Sequence, residues 1–485
     1  MDLLKRWLRG LPERHGRKTL LALAAILVLG FGLRAYRVVE PLPTPGDDAH
    51  AYYALAKSLY AEGSFGGPTF EDPTDWSPGA PLLYATSFYA TAGAREGTAR
   101  IVELLLGLAT IVVVYLLGRR IACRPAGLLA AFAVAVYPPF IHSVGALYSE
   151  PPAMLTLPAA VLAFLWASDG LDPRPSRGWR GAGGSRTAPG LPAGPPAPRQ
   201  DPRAWAPATR WLVPGFLFGL TALIRPEYLL VGAAFAVLAL IRIGRACGWR
   251  PALAGTALMV LALLIPIVPW TIRNEVVLHR TVPISTGGGK ALYVGTFLPA
   301  DGEYQRVKAL LLKRYRHRDL PPHSEALEKV DPTPLFDRVA ERYPDLPRDS
   351  ALGKIGKQNF SRYFGEDPIE YLAMTARKTW RMWSAGIGEA MESSAGRVVQ
   401  ALIVALALAG LGVLAWRRWW WELVAMATPI ALVTAVGAIS LAAPRRNEVL
   451  MTLAFPLAAA ALARGTAAVL SSRQWSQLQA SSPPS

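Results

Sequence analysis

Two adjacent aspartates and one glutamate are the residues of this chain best suited to acid–base chemistry. Asp47 and Asp48 closely follow a long apolar segment, and Glu150 ends the triplet Tyr148-Ser149-Glu150 where another apolar segment begins. A carboxylate at such a place can take a proton from an attacking hydroxyl group. Asp48 would also be a good N-cap for a following helix, and both roles can coexist. A glutamate at a membrane boundary suggests function, although it can also be simply solvated.

Histidines near these acids leave a metal site open. His50 follows the aspartates by two residues, and His142 precedes Glu150 by eight. Oxygen and nitrogen donors of this kind suit a divalent ion, with Asp47, His50 and Glu150 as candidate ligands. Their spacing matches no specific metal motif, so the sequence requires no cofactor.

Basic residues form a second set of candidates. Arg225, Arg273, Arg445 and Arg446 each lie within a few residues of the end of an apolar segment. A guanidinium group can bind phosphate oxygens bidentately, whereas the alternative is snorkelling to lipid headgroups. Because several such arginines are predicted at the same level of the membrane, the phosphate interpretation is favoured. Lys290 follows three glycines and is a further candidate for an anionic ligand, although the spacing is not that of a P-loop.

The segments that must position these residues are long and apolar. Of the 485 residues, 52% are hydrophobic and only 18% are charged, which excludes a soluble multidomain enzyme and a wholly disordered chain. A membrane-spanning helix needs about 20 mostly apolar residues. The sequence therefore predicts an all-α polytopic membrane protein with about ten spans, at residues 19–39, 99–118, 125–141, 151–167, 211–224, 226–241, 251–270, 397–416, 422–442 and 449–463.

The positive charges predict how these spans are oriented. Lysines and arginines concentrate in residues 1–18 and in alternate loops. Because such loops stay in the cytoplasm, both termini are predicted to be cytoplasmic. The membrane is predicted to be the plasma or inner membrane of the cell. The net charge of +17 is thus a topology signal and not a nucleic-acid footprint. The first span is expected to be a retained anchor. The candidate acids and arginines all fall on the extracytoplasmic side.

Three segments outside the spans complete the predicted organisation. Residues 40–98 form the first outside loop and contain an amphipathic surface helix at 49–60. Residues 168–209 are rich in Gly, Pro and Arg and predict a disordered cytoplasmic loop. Residues 271–396 predict a small extracytoplasmic soluble module. The chain divides into an N-terminal transmembrane region (1–270), this module, and C-terminal helices with a cytoplasmic tail (397–485).

Taken together, the motifs resemble the GT-C superfamily of polytopic glycosyltransferases. Within it they are most similar to the branch of protein O-mannosyltransferases and bacterial aminoarabinose transferases. No single motif is specific, but their order and spacing are. They are Asp47–Ala56, Ser77-Pro78-Gly79-Ala80-Pro81-Leu82-Leu83, Tyr148-Ser149-Glu150-Pro151, Leu223-Ile224-Arg225-Pro226-Glu227, Pro269-Trp270-Thr271-Ile272-Arg273-Asn274 and the segment 445–456.

The resemblance implies a catalytic base and a lipid-linked donor. Asp48 matches the family's catalytic aspartate, Asp47 is its neighbour, and Glu150 resembles the second acidic position. Tyr52 and His50, in the same motif, are further candidates for substrate contact. The donor would be a polyprenyl-phosphate-linked sugar. The chain departs from the aminoarabinose branch at Ala49, Ala51 and Trp76-Ser77, where that branch has an acid, an arginine and a lysine, so its phosphate clamp and sugar need not be the same.

The sequence therefore favours inverting glycosyl transfer on the extracytoplasmic face. The lipid phosphate would be held by Arg225, Arg273, and Arg445 or Arg446, with Lys290 as a further cation. The partners would be the donor, membrane lipids and an acceptor that is a glycan, a lipid or a protein, with no role for nucleic acid. Two alternatives remain: a membrane transporter or lipid-carrier flippase, and a ligase that uses a diphosphate-linked oligosaccharide.

Overall fold

The computed structural model describes residues 16–40, 48–66, 73–169, 171 and 208–480. These residues form helices and connecting turns, with no β-strand among them. Asp47 and most of the predicted loop 168–209 lie outside the described residues. The predicted all-helical fold class is confirmed.

Twenty α-helices follow one another along the described chain. In order, they are α1 (Arg17–Ala35), α2 (Asp48–Glu62), α3 (Gly79–Thr91), α4 (Glu96–Ile121), α5 (Arg124–Val136), α6 (Pro138–His142), α7 (Glu150–Ala167), α8 (Leu212–Ile224), α9 (Tyr228–Cys247), α10 (Trp249–Leu278), α11 (Gly288–Thr296), α12 (Tyr304–Arg316), α13 (Glu325–Glu328), α14 (Thr333–Ala340), α15 (Arg348–Glu366), α16 (Pro368–Ser384), α17 (Glu389–Glu392), α18 (Ser394–Trp416), α19 (Trp420–Ile439) and α20 (Pro444–Ala480).

Ten of these helices account for the predicted spans. Eight are long and apolar enough to cross a membrane, and two shorter apolar helices lie at Arg124–Val136 and Ala208–Ile224. The chain is a multi-pass membrane protein. Its core is strongly aromatic around α7, α8 and α9, where Phe235 packs against Phe164 and Phe218 with ring centroids 4.8 and 4.4 Å away. Such close aromatic packing fixes the position of α8, whose end leads directly into Arg225.

Several span boundaries differ from the predicted ones; α9, for example, ends at Cys247 instead of 241. Proline explains two of the differences. α5 ends at Val136 instead of 141 because Pro138 and Pro139 begin the separate helix α6. α10 continues through Pro266 and Pro269 to Leu278, beyond the predicted end at 270, because neighbouring helices support proline within a membrane bundle. α20 begins at Pro444, five residues early, since proline is favoured in a first helical turn.

Helices α11 to α15 form a separate hydrophobic core between α10 and α18. Tyr293, Leu312, Phe336 and Leu352 are among its buried residues. The Asp349 carboxylate accepts hydrogen bonds from the backbone N–H groups of Gly289 and Lys290, at 3.1 and 2.9 Å, and so caps the N-terminal end of α11. We call residues 288–384 the helical module. The domain boundaries given by the sequence stay a prediction.

The helical module is joined to the segment that precedes α3. The backbone N–H of Thr286 donates to the carbonyl of Thr74 at 2.7 Å, and the Thr286 hydroxyl donates to Asp75. Asp75 also forms an ion pair with Arg348 of the module. Nearby, the apolar face of α2, with Tyr52 and Ala56, is buried against α3. These contacts bring α2, α3 and the start of α11 together.

Candidate active site

Arg445 joins the two acidic motifs that the sequence singled out. Its Nη1 donates to Asp48 Oδ2 at 2.6 Å, while its Nε and Nη2 donate to the two Glu150 oxygens at 2.9 and 3.2 Å. Asp48 begins α2, Glu150 begins α7 and Arg445 lies in the first turn of α20. Three segments that are far apart in the sequence therefore meet at one guanidinium group.

Arg225 extends this contact into a chain of alternating charges. It follows the last residue of α8, and its Nη1 donates to Glu150 Oε1 at 2.8 Å. Its Nε donates to Glu227 at 3.0 Å. The order of charges is Asp48, Arg445, Glu150, Arg225 and Glu227. Glu150 accepts three charge-assisted hydrogen bonds, which are stronger than neutral ones.

Exposure distinguishes the two acids. The Glu150 side chain is 1% exposed, whereas those of Asp48 and Arg445 are 41% and 33% exposed. A substrate can therefore reach the Asp48 carboxylate and one edge of Arg445, but not the Glu150 carboxylate. This geometry suits Asp48 to proton transfer and suits Glu150 to holding the two guanidinium groups.

Aromatic residues surround the exposed end of this chain of charges. The Arg445 guanidinium lies 4.6 Å from the centroid of the Tyr148 ring. Tyr52 is buried, and its ring meets Trp76 edge-on with centroids 5.4 Å apart. Burial, with the added charge of Asp48, raises the pKa of the Tyr52 phenol. Tyr52 therefore stays neutral and available as a hydrogen-bonding group beside the charges.

A close backbone contact gives the Ser-Pro-Gly motif a structural role. A Cβ atom on Gly79 would lie 2.7 Å from both Cα and N of Ile224, a separation that no substituted residue could keep. Gly79 thus lets the start of α3 touch the residue before Arg225. The predicted motif acts here by packing, and not by contributing a charged side chain.

Glu103 holds the loop that leads to Glu150, and sequence reasoning missed it. Its carboxylate is fully buried and accepts from the backbone N–H groups of Gly145 and Leu147, at 2.7 and 3.1 Å, and from the Tyr84 hydroxyl at 2.6 Å. The sequence did contain a signal for Glu103, because a carboxylate inside an apolar segment is rare without a function. Glu227, which pairs with Arg225, and the fully buried Glu448 were also omitted from the candidate set.

Lys290 lies at the edge of the same region. It is partly buried, with its Nζ 5.5 and 5.2 Å from the ring centroids of Tyr304 and Phe336. Burial lowers the pKa of Lys290, and the charges of Asp75 and Asp48 oppose this effect. Lys290 therefore carries a positive charge that the acidic groups Asp75 and Asp48 attract.

The remaining candidate cations have different surroundings. Arg446 donates to the Ser440 hydroxyl at 3.3 Å and interacts electrostatically with Glu227. Arg273 lies 5.2 Å from the centroid of the Trp270 ring, and it donates to the carbonyl of Phe65 at 2.9 Å. The continuation of α10 beyond Trp270 therefore turns Arg273 towards an aromatic pair, and not into the chain of charges.

The candidate metal ligands do not form a recognisable set in the described residues. No group of three or more His, Cys, Asp or Glu residues there is placed to hold a metal ion. His50 lies in the first turn of α2, and Asp47 lies outside the described residues. Both oxygens of Glu150 face guanidinium groups, and positive neighbours oppose a divalent cation.

Known proteins give two kinds of match. Residues 75–183 match the family model described as dolichyl-phosphate-mannose-protein mannosyltransferase. The fold is similar to that of the archaeal oligosaccharyltransferase AglB from Archaeoglobus fulgidus, solved in complex with an inhibitory peptide and a dolichol-phosphate. The TM-score is 0.52 and the identity 14%, with 96% of this chain and 52% of that chain covered. No curated protein matches the chain.

A second solved structure matches with a lower TM-score. ArnT from Cupriavidus metallidurans, in the apo state, is 14% identical with a TM-score of 0.36, covering 91% of this chain and 76% of that one. The chain spans about half the length of AglB. The family model and the AglB fold together confirm the GT-C resemblance that the motifs indicated. The fold of the chain is thus similar to that of a solved oligosaccharyltransferase, and the family match concerns residues 75–183.

Proposed function

We propose that the chain is a glycosyltransferase that moves a sugar from a polyprenyl-phosphate donor to an acceptor hydroxyl group, with inversion, on the extracytoplasmic face of the membrane. The observation that carries this proposal is the bridge from Asp48 through Arg445 to Glu150. It combines an exposed carboxylate with a guanidinium group at the end of a membrane helix. A base and a phosphate ligand are the two groups that such a transfer needs.

In this mechanism, Asp48 takes the proton of the acceptor hydroxyl as its oxygen attacks the anomeric carbon. The bond from that carbon to the phosphate oxygen breaks, and its electron pair leaves with the lipid phosphate. Arg445 stabilises the departing charge, with Lys290 as a second cation, so the leaving group needs no proton. Attack from the face opposite the phosphate inverts the anomeric centre.

Glu150 and Arg225 support this chemistry from below the surface. Without Glu150, Arg445 would be a half-buried charge with Asp48 as its one exposed partner. The buried Glu150 carboxylate fixes the orientation of the guanidinium group because it accepts from two Arg445 nitrogens. Arg225, held between Glu150 and Glu227, keeps the Glu150 carboxylate in place. Glu150 is therefore a positioning residue in this proposal, and Asp48 is the catalytic base.

The matched names suggest which substrates to test first. The family model that covers residues 75–183 is described by a dolichyl-phosphate-mannose donor and a protein acceptor. AglB was solved with a dolichol-phosphate and a peptide. Polyprenyl-phosphate mannose is thus the first donor to try, with peptide, glycan and lipid acceptors. Arg446, adjacent to Arg445, and the oligosaccharyltransferase fold support a diphosphate-linked oligosaccharide as the second donor class.

The test is transfer of label by the purified protein in lipid. Tritiated polyprenyl-phosphate mannose is incubated with wild-type protein, with Asp48→Asn and with the surface control Asp319→Asn. We expect label on an acceptor with the wild type and the control, and none with Asp48→Asn. Normal turnover by Asp48→Asn would refute the assigned base. Uptake of donor into sealed vesicles without any labelled acceptor would instead support a transporter.

A further inference from the structure

Lys378 is a fully buried lysine in α16, with 0% of its surface exposed. Its Nζ donates to the backbone carbonyl of Gly295 at 2.6 Å and to that of Ser440 at 2.9 Å. Lysine is almost never fully buried unless it is paired. Here the bonding partners are main-chain carbonyls of two separate segments, so the side-chain nitrogen, which keeps two N–H donors even when neutral, joins backbone to backbone.

The two joined segments carry the candidate phosphate ligands. Gly295 lies in α11, five residues after Lys290, and Ser440 lies just after α19, five residues before Arg445. The segments touch directly, because a Cβ atom on Gly295 would lie 2.1 Å from the Ser440 carbonyl carbon. Lys378 thus closes a contact that sets where Lys290 and Arg445 stand relative to each other.

Helix α16, which carries Lys378, also holds the other end of the segment 440–447. The Asn447 side-chain amide donates to the carbonyls of Met382 and Ala385, at the C-terminal end of α16. Within the segment, Arg446 donates to the Ser440 hydroxyl at 3.3 Å. α16 therefore fixes the arginine segment before and after its two guanidinium groups.

We infer that Lys378 is a positioning residue that locks the arginine segment 440–447 onto α11, and so sets the spacing of Lys290 and Arg445 around the lipid phosphate. The part of this inference that concerns phosphate rests on the proposed function. The lock itself does not, because it follows from the contacts of Lys378, Gly295 and Ser440.

The electrostatics of Lys378 make the lock dependent on pH. Burial lowers the pKa of Lys378 to about 8; Arg381 on its own helix and Arg446 on the arginine segment act in the same direction, and Asp301 opposes them. In an opened segment the amine would return towards its ordinary pKa of about 10.4. The open form then binds the proton more tightly, so the closed form gains stability as pH rises above about 8.

The direct test measures opening of the arginine segment by amide hydrogen exchange in the full-length protein. The variant Lys378→Met keeps an unbranched apolar side chain, and Lys308→Met is the matched control. Lys308 is also buried in the module and donates to a backbone carbonyl, that of Glu328, but within the module. We expect exchange in 440–447 to rise at least about tenfold in Lys378→Met and to stay unchanged in Lys308→Met.

A pH series on the wild type needs no variant, and it stands even if Lys378→Met fails to fold. After correction for intrinsic exchange, the opening of 440–447 should fall by up to about tenfold per pH unit between about pH 8 and pH 10. Lys378→Met should show no such dependence. A merely space-filling lysine would not give this difference.

Activity separates the inference from the proposed function. In the label-transfer assay, Lys378→Met should lower kcat by about ten- to hundredfold because the cations are displaced, whereas Lys308→Met should not. If Lys378→Met exchanges faster in 440–447 but neither the wild type nor any variant transfers label, the lock is supported and the proposed function is refuted. Unchanged exchange in Lys378→Met, together with a flat wild-type pH series, would overturn the inference.

Discussion

The buried position of Glu150 and the exposed position of Asp48 predict different effects on stability for two similar substitutions. Glu150→Gln and Asp48→Asn each replace one carboxylate oxygen by an amide group. The first removes the charge that three guanidinium nitrogens share, two from Arg445 and one from Arg225. The second removes one partly exposed contact with Arg445.

The sizes of the two effects follow from burial. Removing one partner of a buried ion pair costs about 3–5 kcal/mol, because the other charge is left uncompensated. Glu227 and Asp48 still neutralise part of Arg225 and Arg445, so we expect the lower end, about 3 kcal/mol, for Glu150→Gln. A surface ion pair contributes only about 0–1 kcal/mol. Asp48→Asn should therefore leave stability almost unchanged, although it should abolish transfer.

Thermal unfolding of the purified variants in one detergent measures this difference. Glu150→Gln should unfold at a clearly lower temperature than wild type, and Asp48→Asn at nearly the same temperature. Glu227→Gln is the matched control, because Glu227 accepts only one hydrogen bond from Arg225, and it should lie between the two. A Glu150→Gln protein as stable as Asp48→Asn would refute the role given to the buried carboxylate.

Three further predictions concern packing, the arginines and topology. Gly79→Ala should lower transfer at least about tenfold because it pushes Ile224 and Arg225 away, whereas Gly97→Ala, which meets open space, should leave the rate unchanged; equal rates would contradict the contact. Arg445→Gln should abolish transfer, whereas Arg273→Gln, which contacts Phe65 and Trp270 and not the chain of charges, should change kcat/KM less than about tenfold; a larger loss in Arg273→Gln than in Arg445→Gln would contradict the assignment of Arg445 to the phosphate. A membrane-impermeant maleimide should label Cys247 only after cells are opened, and Asp319→Cys in intact cells; labelling of Cys247 in intact cells would refute the predicted orientation.

The spans were predictable from the sequence because membrane thickness dictates their length and composition. The meeting of Arg445 with Asp48, and its connection to Arg225 through Glu150, could also be expected, since these residues lie near the ends of spans at the same predicted level. Helix ends were less accessible: the predicted span ended at Trp270, where the apolar run gives way to polar residues, but the helix continues to Leu278. Arg273 lies in that extension and contacts Phe65 and Trp270 instead of the acids.

The buried ionisable residues show where sequence reasoning ends. Glu103 and Lys378 bind backbone groups, namely the amides of Gly145 and Leu147 and the carbonyls of Gly295 and Ser440. Backbone groups carry no signature in a sequence, so such partners cannot be inferred from residue types. The catalytic and phosphate-binding roles, the membrane sidedness and the donor stay predictions, as does the role of Asp47.

The most direct test of the account is a cryo-EM map of the wild-type protein in lipid with a polyprenyl phosphate. We expect phosphate density within hydrogen-bonding distance of Arg445, on the side that also faces Asp48 and Lys290. Phosphate density at the other end of the bundle, or beside Arg273 with Arg445 still bound to both Asp48 and Glu150, would contradict it.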